Sequence, residues 1–292
     1  MADEFVICNG ELTARISPLG AELLSLQDAA GREYMTDADP AYWTGHAPVL
    51  FPIVGALNGG TYRLDGQEYA LAKHGFARGS LFVCEEHEKF EWARFALDAN
   101  EDTRQVYPFD FRLEIYFELR DRTLAMTAMV SNTGDQPMPF SFGFHPAFAW
   151  PLPGGGEKPA HDIVFQHDEP QDIRRIDAEG LVARHETTPV RGDRFSLDSY
   201  LFQDDALIWD ELASRRLSYR GMNGVALDIA FPDTPMLGIW QKPDANFICI
   251  EPWAGIADPA GFAGDFRDKP GIMLLEPGAR RSFGMDVTVR QG

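Results

Sequence analysis

Apolar and polar positions alternate along much of this chain with the period of a β-strand. Phe111, Leu113, Ile115, Phe117 and Leu119 are interleaved with Arg112, Glu114, Tyr116 and Glu118, giving one apolar and one polar face. After the short turn Arg120-Asp121-Arg122, the run Thr123 to Ser131 reads as the second strand of a hairpin. Another hairpin spans Thr61 to Leu71 and turns at Asp65-Gly66, a pair that accepts the left-handed backbone of a two-residue turn. Strands are also predicted at Leu12 to Ser17, Val225 to Phe231, Leu237 to Gln241, Phe247 to Glu251 and Ser282 to Arg290. Helical spacing is scarce. Asp39 to Trp43 holds one short turn, and no run of apolar residues at i, i+3 and i+4 reaches three turns.

Twenty prolines and 27 glycines break the chain at short intervals, as a many-stranded antiparallel fold requires. No βαβ rhythm appears, which argues against a parallel doubly wound sheet. The fold class is therefore all-β. Pro151 to Pro159 (PLPGGGEKP) has the composition of a linker, but strand patterns continue on both sides of it. It reads as a loop, and residues 1–292 read as one domain.

Charge narrows the partners. Lys and Arg total 26 against 45 Asp and Glu, a net charge of −19. That field repels phosphate backbones and anionic membranes, so nucleic acid and acidic lipid are not expected. No stretch approaches the ~20 apolar residues of a membrane helix. The start MADEFVICNG is acidic where a signal peptide is basic, and the three cysteines (Cys8, Cys84, Cys249) form no framework. A cytoplasmic protein, monomer or homodimer, is the expectation.

The seven histidines form no HxxxH or HExxH and sit at no ligand spacing from a cysteine, so neither metal nor cofactor is predicted. GALNGG lacks the spacing of a phosphate loop, and no GxSxG elbow occurs. What remains is a set of polar residues in apolar surroundings. His74 lies in HGFAR, His145 in FSFGFHPAFAW, and Glu251 ends the apolar run Phe247 to Ile250 just before Trp253. Burying such groups costs free energy unless each finds a partner. A lone histidine of this kind is commonly a satisfied core residue, and Glu-Pro recurs at Glu169 and Glu276 as ordinary turns. Glu251 stands apart because a carboxyl at the end of a buried strand, beside an indole, has a raised pKa suited to proton transfer. One carboxylate of Asp204-Asp205 is expected to point inward. Glu85 to Glu88, Arg174-Arg175 and Arg215-Arg216 read as solvated charge.

Four blocks, FPIVGALNGGTYRLDGQEYALAKHGFARGSLF, FSFGFHPAF, LGIWQKPDANFICIEPWAGIADP and GIMLLEPGARRSF, resemble the LacX-type branch of the aldose 1-epimerase (galactose mutarotase-like) family, in the family's order and over nearly the whole chain. The resemblance implies a large antiparallel β-supersandwich with a sugar cleft on one sheet and a small-molecule aldose as ligand. It implies Glu251 and His145 as the catalytic base and acid. It implies His74 and Arg78 as sugar-binding residues, with Asp205 as a third; the residues themselves allow Trp253 either to pack on an apolar sugar face or to belong to the core. The better-known galactose mutarotases carry an Asn-Arg pair where this chain has Val54-Gly55-Ala56, so a preference for galactose does not carry over. The implied activity is interconversion of α and β anomers of a free aldose. One alternative is a hexose-6-phosphate mutarotase, with a basic cluster at the rim that includes Lys242 and Arg78. Others are a non-catalytic sugar-binding or sensing protein and, last, a glycoside hydrolase, which needs two facing carboxylates.

Overall fold

The computed structural model describes residues 4–88 and 91–292, without the side chain of Glu88. Residues 1–3, part of the acidic start, lie outside the described residues. Two large antiparallel sheets dominate. One has nine strands, in the order Arg194–Ser196, Asp162–Phe165, Arg216–Arg220, Ala226–Ala230, Arg280–Arg290, Thr123–Asn132, Phe111–Arg120, Trp92–Asp98 and Val83–Glu88. The other has eight. Seven run in the order Val182–Glu186, Ile173–Ile176, Leu207–Trp209, Met236–Trp240, Phe247–Ala254, Phe142–Phe144 and Val49–Leu50, and Ala147–Ala149 also pairs with Phe247–Ala254. A three-stranded sheet, Phe5–Cys8, Leu12–Ser17 and Glu22–Asp28, adds Ile7, Leu12, Ile16 and Leu26 to the same core.

The predicted strands fall where the alternation places them. Phe111–Arg120 pairs with Thr123–Asn132 in the register Leu119↔Leu124, with Asp121 left-handed at the turn (φ 50°). Thr61–Leu64 pairs with Gln67–Ala70, and both Asp65 and Gly66 have positive φ, as a type I′ turn requires. Residues 39–43 form a single turn, closed by Trp43 N–H donating to the Asp39 carbonyl at 3.0 Å. Among the described residues one α-helix occurs, Glu101–Val106. Asn100 and Thr103 cap it reciprocally. Residues 151–159 connect strands as a loop.

The two sheets pack face to face. Phe142 of the eight-stranded sheet stacks on Phe283 of the nine-stranded one, with ring centroids 4.9 Å apart, and Phe165 meets Trp209 at 5.6 Å. Such pairs add about 0.5–1.5 kcal/mol each beyond their buried area. Alternation fixes the second face of the eight-stranded sheet. In Phe247–Ala254 every residue is buried. Ile248, Ile250 and Ala254 join the core between the sheets, whereas Phe247, Cys249 and Trp253 belong to separate apolar clusters on the outer side. Glu251 shares their parity and therefore the outer face.

The two expectations of ordinary surface charge and ordinary turn that fail are Arg175 and Glu169. Arg175 is buried, at 4% exposure. Glu169 is fully buried, its carboxylate accepting from the Ala213 and Ser214 N–H groups, so that each buried polar group satisfies the other. Glu85 and Glu86 are exposed, as expected of a solvated face, on the edge strand Val83–Glu88.

Candidate active site

A cleft of about 160 Å³ opens on the outer face of the eight-stranded sheet. It gathers His74, Arg78, His145, Asp205, Glu251 and Trp253, the six residues singled out from the sequence, from four separate chain segments. Lys242 does not line it; that lysine is exposed beyond the end of Met236–Trp240. Lys73, Trp43 and Trp240 do line it and escaped the sequence reading.

Strand register brings the central pair together. Gly143 is paired with Trp253 and Ala147 with Cys249. Both pairs sum to 396, and so do 145 and 251. His145, at the break between these short strands, thus faces Glu251 directly across the sheet, where Cβ atoms are about 4.5–5.5 Å apart. Its Nε2 lies 3.1 Å from Glu251 Oε2. The approach lacks hydrogen-bond alignment, for Oε2 and His145 Nδ1 are both buried without a partner.

Burial governs the charge state of the pair. It pushes the Glu251 carboxyl well above its ordinary value; Asp205 adds to the rise, while Lys73 and the Trp253 indole oppose it. That indole N–H completes no hydrogen bond of ordinary geometry. Burial pushes His145 down to about 3, helped by the charges of Lys73 and Arg78 and opposed by the residue's own backbone. Both shifts run towards the uncharged arrangement of the pair, with a proton on Glu251 and a neutral His145.

His74 is set by a tight loop. Its φ is +70°, and Gly75 follows at +73°. A Cβ on Gly75 would lie 2.2 Å from the Phe51 carbonyl oxygen, so only glycine lets the loop close there. His74 N–H donates to the Gly55 carbonyl at 2.9 Å, and Gly55 N–H donates back to His74 Nδ1 at 3.1 Å. With Nδ1 an acceptor, the ring proton sits on Nε2. Burial, then His145, Lys73 and Arg78, hold this imidazole well below its ordinary value, so it stays neutral. Its ring meets that of His145 edge-on, with centroids 5.6 Å apart.

Aromatic rings form the floor and one wall. The Trp253 indole lies over Gly143 and Gly238 on the flanking strands. A Cβ at either would come within 2.6 Å and 2.5 Å of its ring. Trp43 packs on His145 with centroids 5.0 Å apart, and Trp240 meets Trp43 edge-on at 5.8 Å.

Asp205 stands in a left-handed turn (φ 67°) and accepts from the Ala206 N–H at 2.8 Å. Arg175 secures that turn from beneath. It donates to the carbonyls of Leu201, Asp205 and Ala206 and forks onto the Glu186 carboxylate at 3.0 and 3.1 Å. A guanidinium with several fixed donors serves this role, which explains its burial.

His145, Cys249 and Glu251 also place ligand atoms within 4.8 Å of one another. Burial raises the Cys249 thiol, like the Glu251 carboxyl, above its ordinary value, which disfavours the deprotonated ligands a cation there would need.

The family described as Aldose 1-epimerase matches residues 3–266. This chain belongs to the aldose 1-epimerase family. It is 32% identical to two LacX proteins of Lactococcus lactis subsp. lactis, one chromosomal and one plasmid-borne, over 96% of this chain and 97% of each relative. Among solved structures, the galactose mutarotase related enzyme of Lactobacillus acidophilus superposes with a TM-score of 0.91 at 34% identity, covering 99% of this chain and 98% of that one. A galactose mutarotase-like protein of Lactobacillus casei does so with the same score at 29% identity, covering 99% and 100%. The antiparallel β-sandwich is thus the family fold. Among the described residues no helix is long and apolar enough to cross a membrane.

Proposed function

We propose that the chain acts as one domain over residues 1–292 and interconverts the anomers of an aldose by acid–base ring opening and reclosure. The observation that carries this reading is the buried His145–Glu251 pair, 3.1 Å apart. A purely binding cleft gains nothing from two buried, unsatisfied titratable groups, each of which costs about 1–3 kcal/mol.

A sugar in the cleft offers hydroxyl donors to Glu251. Hydrogen bonds to the charged form favour it, which moves the shared proton to His145. Glu251 then takes the proton of the anomeric hydroxyl O1 as His145 protonates the ring oxygen O5 and the C1–O5 bond breaks. The open aldehyde turns about C1–C2. Reclosure returns a proton from Glu251 to O1 while His145 recovers one from O5, so the pair ends as it began. Each group of this kind contributes about 10²–10⁴-fold. His74 Nε2–H, Arg78 and Asp205 hold the hydroxyls, and the Trp253 indole supports an apolar face of the ring.

Saturation-transfer NMR on equilibrated aldoses tests the proposal. Glu251→Gln and His145→Asn are each expected to abolish the accelerated exchange while sugar binding survives. Exchange at the wild-type rate in either variant overturns the assignment.

A further inference from the structure

Resting on the mutarotase reading above, we infer that Asp258, held by Lys269, is a positioning residue: it clamps the loop 55–58 behind the cleft so that His74 presents its Nε2–H to the sugar. Among the described residues, these two form the one Lys or Arg ion pair in which both side chains are buried. They lie 2.9 Å apart, with the Lys269 side chain 0% and the Asp258 side chain 4% exposed. The proton transfers described above use neither. Taking two charges out of water is costly, and apolar residues of similar size often match or better such a pair in stability. Its place therefore calls for a geometric account.

The contacts of Asp258 supply one. It follows Ala257, which lines the cleft, and it joins two other segments to that wall. Its N–H donates to the Ala56 carbonyl at 2.9 Å, and its Oδ2 accepts from the Asn58 N–H at 2.9 Å. Its carbonyl accepts from the Val182 N–H at 2.9 Å, next to the turn that brings Gly180 to the cleft. Lys269 follows the 3-10 turn Phe266–Asp268, and its ammonium also donates to the Ile256 carbonyl. One cation thus ties the Asp258 side chain to the backbone two residues before it.

The clamp reaches His74 through Gly55, the residue directly before Ala56. Gly55 has a left-handed backbone (φ +76°), and a Cβ there would lie 2.4 Å from the Ala257 Cβ, so the two segments meet without slack. From that position Gly55 N–H donates to His74 Nδ1 at 3.1 Å, and the Gly55 carbonyl accepts the His74 N–H at 2.9 Å. His74 is held by a loop that Asp258 holds in turn. Loss of the Asn58 contact leaves the loop one backbone bond to Asp258, frees Gly55 to drift, and releases the imidazole from the orientation that its Nδ1 acceptor fixes.

Two double variants, neither with an unpaired buried charge, test the inference. Asp258→Asn with Lys269→Met keeps an acceptor for the Asn58 N–H; Asp258→Ala with Lys269→Met removes it. In the alanine variant the Gly55 and Asn58 amides should exchange with deuterated solvent at least about tenfold faster than in the wild type, while the amides of Thr123–Asn132 stay protected. Its KM for the aldose should rise about tenfold with kcat little changed, and the asparagine variant should return both readouts to within about threefold of the wild type. Equal Gly55 exchange in all three proteins, or a fall in kcat with KM unmoved, overturns the inference and leaves the mutarotase reading standing. If the wild type exchanges no sugar, that reading fails, and the amide comparison alone decides this one. If the alanine variant does not fold, the wild-type amides decide: a common exchange rate for Gly55 and Asn58 sustains the clamp, and free exchange of Gly55 beside a protected Asn58 overturns it.

Discussion

Replacing Glu251 with glutamine is expected to make the protein more stable as well as inactive. The carboxyl is 2% exposed, its Oε2 has no hydrogen-bond donor, and burial raises its pKa well above the ordinary 4.5. A carboxyl whose folded pKa is raised stabilises fully only below its unfolded value. That contribution is lost as pH climbs through the folded value, because the unfolded chain releases a proton that the folded site retains. Within that window the wild type loses up to about 1.4 kcal/mol per pH unit relative to a side chain that cannot ionise. His145 is common to both proteins, and its own contribution, which fades as pH falls from 6.5 towards about 3, largely cancels in the comparison. The stability gap should therefore be small near about pH 4 and widen with pH, at about 2–4 °C of Tm per kcal/mol. Calorimetric scans of both proteins at constant ionic strength, with anomer exchange on the same samples, read both effects. A gap independent of pH, or a wild type more stable than the variant above neutrality, refutes the reasoning.

Three other outcomes are expected. The acid limb of the kcat/KM–pH profile should fall near pH 3, where His145 gains a second proton for the pair, rather than between the ordinary values of 4.5 and 6.5; stopped polarimetry over that range checks it. Gly75→Ala sets a Cβ 2.2 Å from the Phe51 oxygen at a φ of +73°, so urea unfolding should show a loss of about 1–3 kcal/mol and KM should rise as His74 shifts. Arg175→Met frees the carbonyls of Leu201, Asp205 and Ala206; KM should rise about tenfold with kcat little changed, and Arg175→Lys should restore little of it because one ammonium cannot replace the fork.

The strands with a clean two-residue period were legible because one face of each meets the core and the other meets water. Phe111–Arg120 and Arg280–Arg290 show this in their burial. Three-residue strands such as Phe142–Phe144 and Leu207–Trp209 were not, since every residue in them is buried and no alternation survives. The partner of each strand was hidden too, because pairs such as Thr127↔Gly284 join residues far apart in the chain. At the site, His74, His145 and Glu251 were visible as polar residues in apolar or strained settings. Lys73 carries no such mark: it is one exposed lysine, and only the position of the Gly180 turn opposite makes it part of the cleft. Arg175 misled because a charged pair beside a polar turn looks solvated until the turn folds over it. Cys249 could be placed near Glu251 by parity, but its approach to His145 depends on the register of two strands a hundred residues away.

The strand Phe247–Ala254 is written in two interleaved alphabets. Its even letters face the space between the sheets and its odd letters face the outer side, where Glu251 and Trp253 line the cleft. A lineage can therefore edit Trp253 on the cleft side while the scaffold stays the same, and it can tune Ile248 or Ile250 for endurance without touching the cleft. The one edit forbidden to both is a single-residue insertion or deletion, which would exchange the alphabets, drive Glu251 into the hydrocarbon interior and leave an isoleucine facing the cleft. Such a strand should tolerate many spellings and only one length.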